Sequence, residues 1–570
     1  MWHRLQICNA FIKLPTRTES VLQVKRTSRY AKMLALTLSL VLVLSACSGN
    51  GGANSTNTGA NAAGGGQAAE GGDLTYALAT SPDSLDPHKS GLAVASRVYR
   101  GIFDNLVVKL PDNTIKPWLA TEWSVSEDGK SYTFKLRKDV KFHDGTPFNA
   151  EAVKFSYDQI IDPQAVVGNA ANLLAPYESS QVIDEYTIKL NLKRPSQAFL
   201  SNLSIPAVAI VSPAGVKKYG DQFGKHPVGT GPFKFVKWDE NAEIKIERNP
   251  DYKWAPETIE NKGAPYLDSV TFKIVPEEAT RIGSVQSGQA LAAETVPPQN
   301  ILTLRSDPNF QLLQVNTLGL PYTLFINQKK APWNELKARQ ALQYGIDVGT
   351  IVKTLYLGTY EQAWSPLTPG IFGYDKSLEN GLQPDANKAN QLLDELGWVR
   401  GADGFRVKDG KRLTLHYVDG TPNREKRNDI AAIIQQQLKK IGVDVKIEIT
   451  KDVATVVYTN GNYDFYGNSQ VNVDPNALYA FYHTAAPNQR PTLPNFSNAE
   501  VDKLLEQGAI EKDDAKREGI YKKVQQLIRD QAVIIPIYVF PYTVGAAKSV
   551  QGLKFDLVGY PLFNDVRIQK

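Results

Sequence analysis

The chain of 570 residues is 42% apolar, 22% charged and 9% aromatic, the balance of a soluble globular protein with enough length for two lobes or more. Its net charge is only +5 and no dense Lys/Arg run lies beyond the N-terminal leader, which excludes an electrostatic nucleic-acid binder. The two cysteines are Cys8 and Cys47, so the body that follows has no disulfide and no thiolate metal site.

The first element in chain order is the leader. Lys25, Arg26, Arg29 and Lys32 form a basic stretch, the run 33–44 is apolar, and Leu44-Ser45-Ala46-Cys47 closes it with small residues before a cysteine. This reads as a signal peptide over 1–46 with a lipobox, in which Cys47 becomes the first mature residue and its thiol carries a diacylglycerol. About twelve apolar residues are too few to cross roughly 30 Å of hydrocarbon, so the run does not read as a membrane span. Residues 48–72 are almost entirely Gly, Ala, Asn, Ser, Thr and Gln, which cannot bury enough apolar area to offset their ordering entropy. Together, 47–72 is a lipidated flexible tether, and the arrangement predicts a monomeric body held at the outer face of a cell membrane, of Gram-positive type.

From Asp73 short strand-like runs alternate with amphipathic helices, and no repeat of solenoid length is present; the class is α/β. Asp128-Gly129 predicts a turn, with Tyr132, Phe134 and Leu136 on one face of the following strand. Asn149 is placed to cap a helix carrying Val153 and Tyr157. Ala338, Ala341, Leu342 and Ile346 fall at helical spacing, as do Ala389, Leu392, Leu393 and Leu396 before a terminating Gly397. Beyond Leu413 come a strand, a helix with Ile430, Ile433, Ile434, Leu438 and Ile441, a stop at Gly442, and the alternating Val443, Val445, Ile447 and Ile449. These predict a βαβ unit in a second lobe.

Several runs carry a family resemblance. Leu119-Ala120-Thr121-Glu122-Trp123, Tyr132-Thr133-Phe134-Lys135-Leu136-Arg137 and Val140-Lys141-Phe142-His143-Asp144-Gly145-Thr146-Pro147-Phe148 resemble the signature of family 5 extracellular solute-binding proteins. Ser81-Pro82-Asp83-Ser84-Leu85-Asp86-Pro87, Pro227-Val228-Gly229-Thr230-Gly231-Pro232-Phe233, Arg248-Asn249-Pro250-Asp251-Tyr252, Ala338-Arg339-Gln340-Ala341-Leu342 and Val501-Asp502-Lys503-Leu504-Leu505 continue it over nearly the whole body. The resemblance implies an α/β, two-lobed periplasmic-binding-protein-like fold, a Venus flytrap of class II type in its large dipeptide/oligopeptide-binding variant. It places lobe I at 73–318 plus 538–570 and lobe II at 319–537, with crossings near 316–322 and 536–540. It implies no enzyme and no cofactor, but capture of a small solute, an oligopeptide first, in the interlobe cleft. Delivery would then be to ABC permease subunits and their ATPases, with closure about the hinge as the recognised signal.

The resemblance also nominates cleft residues. Ser90, Gly91 and Leu92 read either as a cleft border or as a turn, and Trp364 either as a cleft aromatic or as core. The segment Tyr466, Gly467, Asn468, Ser469, Gln470, Val471 and Asn472 holds a departure: peptide-binding relatives place an aspartate where Val471 stands, to pair with the ligand's ammonium. Either another acid substitutes, or the solute is an oligosaccharide, a nickel chelate or another non-peptide. His143 and Asp144 read as fold-defining turn residues. The six histidines show no metal-ligand spacing, although His416 and His483 flank the region where a nickel chelate would sit. A rival reading is a secreted hydrolase with a carboxylate pair, such as Asp464 with Asp474.

Overall fold

The structure, a computed structural model, describes residues 71–162, 169–484 and 492–569. The leader, Cys47 and most of the tether lie outside these. Two mixed sheets form the frame. The first runs in the order Phe310–Asn316, Pro541–Ala547, Ala292–Glu294, Asp73–Leu78, Ser269–Ile274, Glu243–Arg248 and Phe233–Asp239. The second runs Glu361–Gln362, Ile534–Val539, Gly319–Ile326, Phe465–Val471, Thr414–Gly420 and Asp444–Thr450. The chain passes from the first sheet to the second between Asn316 and Gly319 and returns between Val539 and Pro541, so the first lobe is built from both ends of the body. Phe540 packs against the cores of both lobes.

A smaller four-stranded antiparallel sheet, Ala120–Val125, Ser131–Leu136, Thr187–Leu192 and Tyr177–Asp184, extends the first lobe. Its hairpin turns at Gly129, whose φ of +71° suits a residue without Cβ, and Tyr132, Phe134 and Leu136 alternate into the core. Asn149 caps the helix Ala150–Ile160 by accepting from the Ala152 N–H at 3.1 Å, and Val153 and Tyr157 are buried beneath it. In the second lobe Thr414–Gly420, the helix Arg427–Lys440 and Asp444–Thr450 form the βαβ unit, with the two strands parallel from Thr414↔Asp444 to Gly420↔Thr450. Gly442 turns between helix and strand at φ +84°, where a Cβ would meet the Arg406 side chain at 2.7 Å.

The family signature at His143 clamps a loop. The imidazole Nε2 faces the Gly231 carbonyl at 2.9 Å, the Gly229 N–H points at Nδ1 at 3.4 Å, and the His143 N–H donates to the Gly229 carbonyl at 2.9 Å. Asp144 accepts from Thr146 and from Ser212. These bonds hold Gly229 and Gly231 so close to the backbone of Ile102 that a Cβ at either would meet its carbonyl at 2.2–2.6 Å.

Candidate functional site

Strand direction locates the site. In the first sheet Asp73–Leu78 runs parallel to Ala292–Glu294 and to Ser269–Ile274, and Glu294 ends opposite Val544, just past the return crossing. In the second sheet Thr414–Gly420 runs parallel to Asp444–Thr450 and Phe465–Val471, and Val471 ends opposite Gly319, just past the outward crossing. The carboxyl ends of the parallel strands in both lobes therefore point at the passage between them, the position where open α/β sheets take ligands.

On the second-lobe side a buried polar cluster fills this edge. Glu425 and Lys426 both adopt left-handed backbone, φ +47° and +56°, and this double bend turns the start of the helix Arg427–Lys440 inward. The Arg427 guanidinium pairs with Glu425 at 2.6 Å, and its side chain is 13% exposed. Its Nε donates to the Tyr538 hydroxyl at 3.3 Å, an NH2 group donates to Ser469 Oγ at 3.3 Å, and its plane lies 4.4 Å from the Tyr322 ring centre. Tyr322 stacks on Tyr538 at 5.0 Å and donates to Asp419 Oδ2 at 3.2 Å. Burial opposes the charge of Glu425, but Arg427 and Arg424 outweigh it and hold the carboxyl below the usual range. Burial dominates at Asp419 and raises its pKa. Gly467 is what lets Tyr322 lie here, since a Cβ on it would sit 2.0 Å from the Tyr322 hydroxyl.

The first-lobe side carries a parallel arrangement. Arg97, on the helix Ala93–Tyr99, pairs with fully buried Glu294 at 3.0 Å and lies 4.3 Å from the Tyr542 ring centre. The Tyr542 hydroxyl donates to Glu294 at 2.8 Å and shares a 2.6 Å hydrogen bond with Tyr76. The Arg97 Nε is buried with no hydrogen-bond partner among the described residues. Contacts also cross between the lobes: Lys109 Nζ donates to the Val473 carbonyl at 2.7 Å beside the Asp474–Arg517 pair, and Gln314 Nε2 reaches the Thr359 carbonyl at 3.4 Å.

The structure distributes the nominated residues unevenly. Ser469 joins the Arg427 cluster and Gly467 underlies Tyr322, while Val471 packs against the first-lobe core and Gln470 reaches Asn169 at 3.4 Å. Tyr466 and Asn468 alternate to the opposite face, where Tyr466 packs on Tyr458 and Tyr463 and Asn468 approaches the Tyr458 hydroxyl. Asn472 folds back to accept from the Val473 and Asp474 N–H groups. Ser90 is buried in a turn, donating to Asp83 at 2.6 Å; Gly91 and Leu92 are exposed ahead of the helix that carries Arg97. Trp364 lines a cavity of about 230 Å³ whose walls, including Ile346, Pro384, Arg529 and Pro536, all come from the second lobe. His416 pairs with Glu448 and His483 with Glu506, and no group of three metal-ligating side chains occurs among the described residues.

The carboxylate pair Asp464 with Asp474 fails on geometry. Asp464 and Asp474 flank the seven-residue strand Phe465–Val471, so at roughly 3.3 Å per residue they stand on the order of 20 Å apart, beyond the reach of any carboxylate pair. Each is also engaged: Asp464 accepts the His416 N–H, and Asp474 pairs with Arg517 at 2.6 Å.

The sequence profile of the bacterial extracellular solute-binding proteins, family 5 Middle, matches residues 114–491. The chain belongs to this family. This family 5 binding protein is 30% identical over 493 residues to the glutathione-binding protein GsiB of Shigella dysenteriae, covering 84% of this chain and 91% of that one. Among solved structures it is similar to DppA of Helicobacter pylori in complex with the peptide STSA, with a TM-score of 0.76 and 27% identity over 88% of this chain and 99% of that one. It is equally similar to AppA of Bacillus subtilis in complex with a nonapeptide, with a TM-score of 0.76 and 25% identity over 88% and 100% of the two chains. The relatives are solute-binding proteins rather than enzymes, and the two-lobed architecture is theirs. Arg97, Glu425, Arg427 and Asp419 carry no signal in the sequence that marks them as site residues.

Proposed function

We propose that this chain is the substrate-binding subunit of an ABC importer, anchored through a lipid on Cys47 to the outer face of the cell membrane, and that it captures an oligopeptide between its lobes. The observation that carries the reading is the Arg427–Glu425–Tyr538 cluster at the carboxyl edge of the second sheet, facing the Arg97–Glu294–Tyr542 cluster of the first. Buried charges that are tied by hydrogen bonds to strand residues are what orient a polar solute in a closing cleft. GsiB by its name, and DppA and AppA by their bound peptides, support a peptide as the solute. The lobes are taken as 73–318 with 540–570, and 319–539, so that Tyr538 and Val539 stay with the second sheet. Closure about the crossings delivers a recognisable shape to two permease subunits and their ATPases, with the chain acting as a monomer.

A second reading is favoured by one observation. Val471 is apolar where peptide-binding relatives carry an acid, which suits a solute without a free ammonium; NikA of Brucella suis, 25% identical, holds Fe(III)-EDTA, and AgaA, 28% identical, holds agropinic acid. A thermal-shift screen of short peptides, oligosaccharides and nickel chelates separates the readings, since a ligand at a hundredfold over its Kd stabilises by about 2.7 kcal/mol. Peptides alone are expected to raise Tm; a shift with chelates or sugars alone would replace the peptide reading, and no shift with any class would end it. For the anchor, Cys47→Ala is expected to release the protein from the membrane, and retention of the variant would refute lipidation at that residue.

A further inference from the structure

We propose that Asp419 takes the protonated amine of the solute, and so sets the preference for a free amino terminus that no acid on the strand Phe465–Val471 can supply. The proposal rests on the peptide reading above.

Three buried or largely buried acids border the passage. Glu294 is paired with Arg97 and Glu425 with Arg427. Asp419, only 4% exposed, has no Lys, Arg or His within ion-pair distance among the described residues. Its carboxylate accepts two hydrogen bonds, from the Gly420 N–H at 2.7 Å and the Tyr322 hydroxyl at 3.2 Å, where a carboxylate has about four acceptor positions. A carboxylate buried with so few donors is stabilised by any cation that reaches it.

Its position makes that cation the solute's. Asp419 is the penultimate residue of Thr414–Gly420, at the carboxyl edge that faces the first lobe, and the parallel pairing Val418↔Tyr466 sets it beside Gly467. The adjacent Arg427 and Glu425 cancel, so with Asp419 the cluster carries a formal charge of −1, which a protonated amine neutralises. Arg424 faces the same cluster from the preceding turn but is exposed and makes no ion pair with it. One aromatic ring links the two signs of charge: Tyr322 donates to Asp419 from its hydroxyl and receives the Arg427 guanidinium on its face. A group that carries an amine and a peptide carbonyl a few atoms apart, as a peptide's amino end does, can meet both at once.

The test presents the purified full-length chain with a pool of random tripeptides to hexapeptides bearing free amino termini, and with the same pool N-acetylated, and quantifies retained peptide by mass spectrometry. The wild type is expected to retain the free pool at least tenfold more strongly, Asp419→Asn to retain both pools alike, and Asp419→Glu to keep the preference. Should Asp419→Asn fail to fold, Asp419→Ser is the second neutral variant. A preference that survives the neutral variant, or a wild type with none, overturns the role of Asp419 while leaving peptide capture intact. Retention of neither pool by the wild type overturns the peptide reading and this inference together.

Discussion

Tyr538 and Tyr542 stand on either side of the return crossing, and each hydroxyl closes a buried arginine–glutamate pair, Tyr538 on Glu425 at 3.2 Å in the second lobe and Tyr542 on Glu294 at 2.8 Å in the first. The two charged clusters that border the passage are thereby fixed to one short stretch of chain, and rotation about Val539–Pro541 moves one against the other. Each hydroxyl is buried, so Tyr538→Phe and Tyr542→Phe each leave a glutamate short of a donor at a cost of about 1–3 kcal/mol. Calorimetric titration is expected to show weaker solute binding in both variants and a larger loss in the double variant; wild-type affinity in either would separate that cluster from binding.

Arg427→Met removes the partner of a buried glutamate and is expected to lower stability by about 3 kcal/mol in urea unfolding. Adding Glu425→Gln removes the stranded charge and should restore most of that stability. Solute binding is expected to stay lost in the double variant. Recovery of binding together with stability would show that Arg427 only supports the fold.

Gly467→Ala places a methyl group 2.0 Å from the Tyr322 hydroxyl and 2.4 Å from its ring. The ring is held on its other side by Tyr538, so the collision is relieved only by moving it off Arg427 and Asp419. Overpacking of this kind costs about 1–3 kcal/mol. Thermal unfolding should show a lower Tm and titration a weaker solute; unchanged values for both would mean that Tyr322 is free to swing away.

His143 gives the fold a pH dependence. Burial lowers its pKa from 6.5 to about 4, and its contacts need a neutral ring that accepts at Nδ1 and donates at Nε2. Between these values the unfolded chain binds a proton that the folded chain refuses, so the stability contributed by this group is full above 6.5 and drains as pH falls toward 4. Asp104, which burial raises to about 6, acts in the opposite sense over an overlapping range, so the effect is read as a difference between proteins. Urea midpoints at pH 7 and pH 5 are expected to fall further for wild type than for His143→Gln; equal falls would show that His143 stays accessible to protons.

The hairpin at Gly129, the helix capped by Asn149 and the βαβ unit around Ile430 and Val445 were legible because each repeats its apolar residues at the period of its own element. The charged clusters were not. Arg427 is turned inward at the carboxyl edge of the second sheet only because Glu425 and Lys426 bend the chain through left-handed conformations that no pattern of hydropathy records. Tyr322 and Tyr538 become partners through antiparallel pairing of strands remote in sequence. Val471 packs on the first-lobe core, a long-range contact that its place in the sequence does not record. Trp364 marked a real cavity, one whose walls belong to a single lobe.

The measurement closest to the central claim is the distance across the passage with and without solute. The body after Cys47 has no native cysteine, so Gly91→Cys and Lys451→Cys provide two unique labelling sites once Cys8 and Cys47 are replaced. Both positions are exposed, Gly91 past the carboxyl end of Asp73–Leu78 and Lys451 directly past that of Asp444–Thr450, one in each lobe, and Gly91 has open space where its side chain would go. Energy transfer between fluorophores at these sites is expected to rise on titration with a short-peptide pool, saturating with the binding isotherm. Saturated binding with no change in transfer would place the solute somewhere other than between the lobes and contradict the account.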